Sequence, residues 1–179
     1  GTLARGIVGA GVKMEYILFD DCYMSSVEVA YELKEATRFL IASTSEMMAY
    51  GMPYAIVGEF LLGNPDYGSL CEGFHDFYST YEMMPCGTLA VTDCSELDNM
   101  AAIMKSINDR YVFDYSLQGE LQGLDGYTPV IFYDFADYVL TLCSDPVLTA
   151  RFREQLERLV PYKPHTSKFY SRAKGTFPY

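Results

Sequence analysis

The sequence has no tryptophan and only two histidines, His75 and His165, among 179 residues. It has no apolar run of about 18 residues or more, so nothing reads as a membrane-spanning helix. No charged leader with a short apolar stretch opens the chain, so no signal peptide is read. No two cysteines have C-x-x-C spacing, which argues against structural zinc. Basic charge is scarce: 13 Lys and Arg stand against 24 Asp and Glu, a formal net charge of −11. A body of that sign repels phosphate, so nucleic acid is not an expected partner. The basic residues that exist gather late. Residues 160–179 carry Lys163, Lys168, Arg172 and Lys174 with no acid. That Pro-containing segment reads as a tail without regular structure, after a body at 1–159.

Half of the residues are hydrophobic, enough for one substantial core. Leu3, Ile7 and Val8 look like the last turns of a helix closed by Gly9 and Gly11. A chain that opens so late in a helical pattern is expected to be a fragment or one product of proteolytic processing. The five cysteines, Cys22, Cys71, Cys86, Cys94 and Cys143, are odd in number. Leaving Cys22 free, the others could form two disulfides or none. Most fall near apolar stripes, so buried free thiols are expected.

One stretch organises the rest. Tyr16-Ile17-Leu18-Phe19 reads as a buried strand that stops at Asp20-Asp21-Cys22. Ser25 and Glu28 then form a capping-box pattern ahead of an apolar-periodic helix at 26–38, with Val29, Leu33 and Ala36 inward. Cys22 is thereby placed at the carboxyl end of a strand, just before a helix N-terminus, where open α/β sheets bind ligands. A helix N-terminus favours a thiolate, whereas two adjacent carboxylates oppose it. The bland alternative is a small buried residue. Asp20, two residues before Cys22 on a strand, points to the same side. Its bland alternative is a charge serving the following helix.

Further strands are read at Phe39–Ser43 and Thr88–Thr92, with helices at about 53–61, 66–82 and 97–111. Residues 112–128 form a connection. Two last helices follow, the second started by Asp145-Pro146 as N-cap and first residue. Each strand ends in polar residues, and helical crossovers imply parallel pairing. Three strands leave a bare edge, so further strands are expected upstream. The fold class is α/β, a mainly parallel sheet flanked by helices and incomplete in this chain.

The run Phe19-Asp20-Asp21-Cys22-Tyr23-Met24-Ser25-Ser26-Val27-Glu28-Val29-Ala30-Tyr31-Glu32-Leu33 resembles the active-site stretch of clostripain-family (C11-like) cysteine peptidases. That family commonly reads F-D-A-C-L-M there, followed by a V-E-V-A-Y-E-L helix. Phe39-Leu40-Ile41-Ala42-Ser43, Met52-Pro53-Tyr54 and, more weakly, residues 132–138 are similar to further family segments. The resemblance implies a caspase-like fold and a cysteine endopeptidase with Cys22 as thiolate nucleophile and its backbone N–H as an oxyanion donor. It implies Asp20 in a pocket for Arg or Lys, with Ser43, Thr44 and Glu46 forming the adjoining wall. Asp21 stands where the family has a small residue, and Thr44-Ser45-Glu46 replaces two adjacent glutamates. The family's catalytic histidine lies in an H-G motif upstream of the cysteine, and no histidine precedes Cys22. It is therefore expected on an N-terminal segment of the same precursor, a partner of this chain, without which the chain is inactive. The competing reading is a catalytically inactive caspase-like module that binds peptides or proteins. No cofactor or metal site is expected, and calcium is admitted by the resemblance alone. The resemblance also implies a bacterial protein, secreted or attached to the cell envelope, acting on protein or peptide substrates.

Overall fold

The computed structural model describes residues 1–178, so Tyr179 of the expected tail lies outside the described residues. A short helix α1 (Thr2–Gly9) leads into strand β1 (Met14–Leu18), helix α2 (Val27–Leu33) and strand β2 (Thr37–Ala42). A four-residue helix α3 (Tyr54–Val57), helix α4 (Tyr67–Thr80), strand β3 (Ala90–Asp93) and helix α5 (Leu97–Asn108) follow. Helices α6 (Phe135–Leu142) and α7 (Pro146–Leu159) precede a hairpin, β4 (Lys168–Ser171) and β5 (Gly175–Pro178).

The sheet is ordered β1-β2-β3, with β1 parallel to β2 and β3 antiparallel to β2. Parallel pairing of all three strands thus fails at β3. The chain between β2 and β3 runs through α3 and α4 and re-enters the sheet at the end where β2 leaves it, Ala90 pairing with Ala42. The far edge of β3 is covered by the chain after α7: Val91 N–H donates to Tyr162 O at 2.8 Å and Leu89 N–H to Pro164 O at 3.0 Å. This corrects the reading of the tail as unstructured. Residues 162–166 extend the sheet edge, and β4 and β5 pair as an antiparallel ribbon.

Strand periodicity divides the interior into two cores, because successive side chains on a strand face opposite sides. Leu40 and Ala42 of β2 face Ala30, Leu33, Met100, Ile107 and Phe152 on the side of α2, α5 and α7. Ile41, between them, faces Val57, Leu70, Phe74 and Tyr78 on the side of α3 and α4. Each of the larger aliphatic and phenylalanine side chains contributes about 1.5–3 kcal/mol by leaving water, and each alanine less. The α7 start forms as its sequence dictates: the Asp145 carboxylate accepts from the N–H groups of Val147 and Leu148, with Pro146 in the first turn. At α2 the cap sits one residue later than the capping-box pattern places it. Ser26 Oγ, not that of Ser25, accepts the Val29 N–H at 3.3 Å. The helix also ends at Leu33, and the predicted stretch to residue 38 belongs to a turn and the start of β2.

All five cysteines are free thiols, four of them buried and Cys22 half-buried. Among the described residues no helix is long and apolar enough to cross a membrane.

Candidate active site

Beyond β1 the chain keeps alongside the end of β2 without being a strand. Phe19 N–H donates to Ile41 O at 2.9 Å, Tyr23 N–H to Ser45 O at 3.0 Å, and Ser25 N–H to Ser43 O at 2.9 Å. Between the first two bonds, Asp20, Asp21 and Cys22 bulge out of the sheet. The bulge closes at Tyr23, whose φ of 57° is left-handed. A bulky residue there costs about 1–3 kcal/mol and persists only where its surroundings over-determine it. The Tyr23 ring lies flat on Phe132, with centroids 4.6 Å apart and planes within 2°. Its hydroxyl donates to Glu46 Oε1 at 3.2 Å.

The sulfur of Cys22 is held by the loop after β2. Met47 N–H donates to Sγ at 3.3 Å, and the thiol reaches Met47 O at 3.8 Å. Burial pushes the thiol above its ordinary value; the Met47 N–H opposes this, and the carboxylates of Glu46 and Asp21 add to the rise. The thiolate-favouring helix end expected from the sequence is not realised. A turn and the extended residues 24–25 separate Cys22 from α2, beyond the single turn over which a helix dipole acts. The Cys22 N–H, the expected oxyanion donor, is engaged by its neighbour: it donates to Asp21 Oδ1 at 2.8 Å.

Asp20 lies on the other side of the bulge. Its Oδ1 accepts the Met52 N–H at 2.9 Å. The close approach depends on Gly51, whose φ is 73° and where a Cβ would come within 2.8 Å of both Asp20 carboxylate oxygens. Gly51 is itself anchored, because the fully buried Tyr78 donates its hydroxyl to Gly51 O at 2.6 Å. Tyr54 closes the same corner, and its phenol is pushed up by burial first and then by the charge and hydrogen bonding of Asp20. The result is an exposed carboxylate partnered by the Met52 amide and the Tyr54 phenol.

The other residues expected in the substrate wall are placed differently from one another. Ser43 is wholly buried and its hydroxyl meets that of Thr88 at 2.7 Å. Thr44 also bonds Thr88 at 3.1 Å and lines a cavity of about 490 Å³ together with Tyr23, Ser25, Phe132, Leu159 and His165. Glu46 turns away from Asp20, toward the C-terminal hairpin, where Oε1 accepts from Ser171 Oγ at 3.2 Å and from the Arg172 N–H. His75 lies on α4, bonded to Ser79 at 3.2 Å, and His165 Nδ1 is 3.0 Å from Thr166 O. Both hydrogen bonds of the Cys22 sulfur go to the backbone of Met47 rather than to an imidazole. Among the described residues no three His, Cys, Asp or Glu side chains form a group that could hold a metal.

Three contributors were not legible as such. Thr88 is a hub for Ser43, Thr44 and Ser45, and nothing in a Gly-Thr-Leu sequence marks it. Met47 acts through its backbone, to which sequence is blind. Asp125 is buried and accepts the N–H groups of Tyr127, Ile131 and Phe132 at 2.7, 2.8 and 2.6 Å, setting the ring on which Tyr23 stacks. Here the Asp-Gly dipeptide was an available turn signal.

Residues 5–148 match the family model described as the Clostripain family. The chain belongs to the clostripain family. It is similar in structure to a clostripain from Bacteroides thetaiotaomicron ATCC 29148 in complex with the peptide inhibitor BTN-VLTK-AOMK. The identity there is 64%, the TM-score 0.97, and the match covers 99% of this chain and 79% of that one. A secreted C11 cysteine protease from Bacteroides thetaiotaomicron, iotapain, also matches at 64% identity and TM-score 0.97, with 99% of this chain covering 50% of that one. An inactive zymogen C11 protease from Parabacteroides distasonis is 30% identical, with TM-score 0.82, and 100% of this chain covers 53% of it. This chain therefore spans about four fifths of one relative and about half of two others. No curated protein matches it. Family membership brings the caspase-like α/β fold and places the chain among cysteine peptidases.

Proposed function

We propose that the chain is the cysteine-bearing part of an endopeptidase that cleaves after Arg or Lys. The observation that carries this reading is the bulge after β1. It presents a half-buried thiol tethered at Met47 N–H and, two residues earlier, an exposed carboxylate braced at Met52 N–H. A substrate cation in the Asp20 corner gains a charge partner already fixed in place. The inhibitor bound by the Bacteroides thetaiotaomicron clostripain carries a peptide ending in lysine, which fits the same preference.

In the reaction, an imidazole takes the Cys22 thiol proton, the thiolate attacks the scissile carbonyl carbon, and a C–S bond forms. The C–N bond then breaks as the imidazolium protonates the leaving amine, and water, deprotonated by the same imidazole, hydrolyses the thioester to release the acid and return the thiol. The imidazole is assigned to an upstream segment of the same precursor, as the family resemblance implies, since the Cys22 sulfur bonds Met47 while His75 bonds Ser79 and His165 lies on Thr166 O. Oxyanion stabilisation by the Cys22 N–H requires the Asp21 carboxylate to move off it. We extend bacterial origin and export to this protein from the relatives, one of which is a secreted protease. Calcium is assigned no step.

The inactive binding module has two observations in its favour: at rest the Cys22 N–H is taken by Asp21, and burial pushes the thiol above its ordinary value. The deciding experiment treats the precursor, processed or intact, with a biotinylated peptidyl acyloxymethyl ketone ending in lysine. Covalent labelling at Cys22, hydrolysis of a Lys or Arg peptide, and loss of both on Cys22→Ala support the peptidase. Peptide binding without labelling or hydrolysis selects the binding module. The 179-residue chain alone is expected to be inert and to regain activity with the upstream segment. Hydrolysis by the isolated chain would overturn the assignment of the imidazole.

A further inference from the structure

We infer that Glu46 is a positioning residue for the Cys22 turn, through which the C-terminal hairpin holds the nucleophile in place. The inference rests on Cys22 being the reacting group. Tyr23 is the one non-glycine residue with a left-handed backbone among the described residues, and it follows Cys22 directly. Its conformation therefore sets the direction in which Cys22 leaves the sheet. Strained backbone is retained only under several independent restraints. Tyr23 has three: its N–H on Ser45 O, its ring on Phe132, and its hydroxyl on Glu46.

Glu46 does more than receive that hydroxyl. One oxygen, Oε1, accepts from Tyr23, from Ser171 Oγ and from the Arg172 N–H. Ser171 is wholly buried and its Oγ also accepts the Gly126 N–H at 3.0 Å. Gly126 adjoins Asp125, whose carboxylate fixes the backbone of Phe132. The hairpin, the loop that carries the stacking ring, and the residue after the nucleophile thus converge on one carboxylate oxygen. Met47, next in the chain, holds the Cys22 sulfur. Moving Glu46 shifts both sides of the nucleophile at once. The carboxylate contributes by its lone pairs rather than by touching the reacting atoms.

The test uses the complete precursor. Glu46→Ala is expected to lower kcat roughly 10- to 100-fold, as sub-ångström misplacement of a reacting group does, with KM nearly unchanged. Glu46→Gln, which keeps an acceptor oxygen, restores most of the loss. Tyr23→Phe reproduces part of it, and the Tyr23→Phe/Glu46→Ala double variant is no worse than Glu46→Ala alone. Hydrogen exchange at residues 21–24 should quicken in Glu46→Ala without a matching change elsewhere. This readout, together with the alkylation rate of Cys22, measures positioning even where no peptide is cleaved. Failure of the peptidase reading and failure of this inference are thereby distinguishable. Unchanged kcat and exchange in folded Glu46→Ala would overturn the inference. A rise in KM at constant kcat would also overturn it, assigning Glu46 to substrate contact instead. If Glu46→Ala does not fold, Tyr23→Phe and Glu46→Gln decide the same question: slower turnover and faster exchange at residues 21–24 in Tyr23→Phe support the inference, and wild-type behaviour of both variants overturns it.

Discussion

Asp20 and Glu46 are both carboxylates close to Cys22, one in the bulge just past β1 and one in the loop after β2. They differ in what remains free. Asp20 is exposed and receives the Met52 amide and the Tyr54 phenol, which leaves part of its acceptor capacity open to an incoming cation. Glu46 receives three donors on a single oxygen, all from the protein. A carboxylate beside a nucleophile is thus read by its unused lone pairs and not by its nearness. The first is built to receive a ligand, the second to hold a frame.

The comparison breaks most visibly at Asp20. Asp20→Ala is expected to cost about 3–5 kcal/mol in transition-state binding of Arg or Lys substrates and little for neutral ones. Steady-state kcat/KM on a matched Lys and norleucine peptide pair checks it. Equal losses on both would make Asp20 a frame residue like Glu46.

A smaller effect is expected at Asp21, whose carboxylate sits on the Cys22 N–H and helps hold the thiol up, behind burial and Glu46. Removing that charge lowers the thiol pKa and raises the thiolate fraction. Asp21→Asn should therefore quicken iodoacetamide alkylation of Cys22 at pH 7 by roughly two- to fivefold. The rate should still climb with pH past the ordinary thiol range in both proteins. An unchanged rate–pH curve would leave burial and Glu46 as the causes of the rise.

The smallest expected effect lies far from the bulge, at a carboxylate that serves only the frame. Glu96 is held below its ordinary value chiefly by the Gln155 amide at 2.7 Å, which ties α7 to the turn after β3. A depressed carboxylate contributes stability above its unfolded pKa, about 4.3. That contribution is lost as pH falls through the lower folded value. Glu96→Gln should therefore destabilise slightly at pH 7, and the difference from wild type should shrink as pH falls below about 4.3 and vanish once the lower folded value is passed. Thermal unfolding across that range measures it.

Much of this arrangement was legible before the structure. The β1 run, read as buried but exposed to half-buried in the fold, the helix after Cys22, the helix at 66–82 and the Asp145-Pro146 helix start are set by local periodicity and capping, which sequence carries directly. The direction of β3 was not. The chain from Ser43 to Thr88 contains α3 and α4 and is long enough to return from either end of the sheet, so local pattern leaves its sense open. The hairpin was missed because Lys168-Phe169-Tyr170-Ser171 is short, basic and preceded by prolines, and its support comes from Glu46, more than 120 residues away. Position alone places Asp20 and Cys22 together at the end of β1, whereas the bulge that carries them is not marked by any local pattern. The orientation of Ser43 and Glu46 depends on Thr88 and Ser171, and no spacing rule links those pairs. The choice between Ser25 and Ser26 as cap turned on where the bulge ends, which is a tertiary matter.

The buried thiols give the molecule four built-in stopwatches. Cys71 sits in the core beneath α4, while Cys94 and Cys143 sit in the core shared by α2, α5 and α7. Cys86 lies apart from both, beside the segment that covers β3. A thiol reagent reaches each one only when its surroundings part, so each labelling rate reports the opening free energy of its own neighbourhood. Read cysteine by cysteine under native conditions, these rates would tell whether the two faces of the sheet come undone together or one before the other.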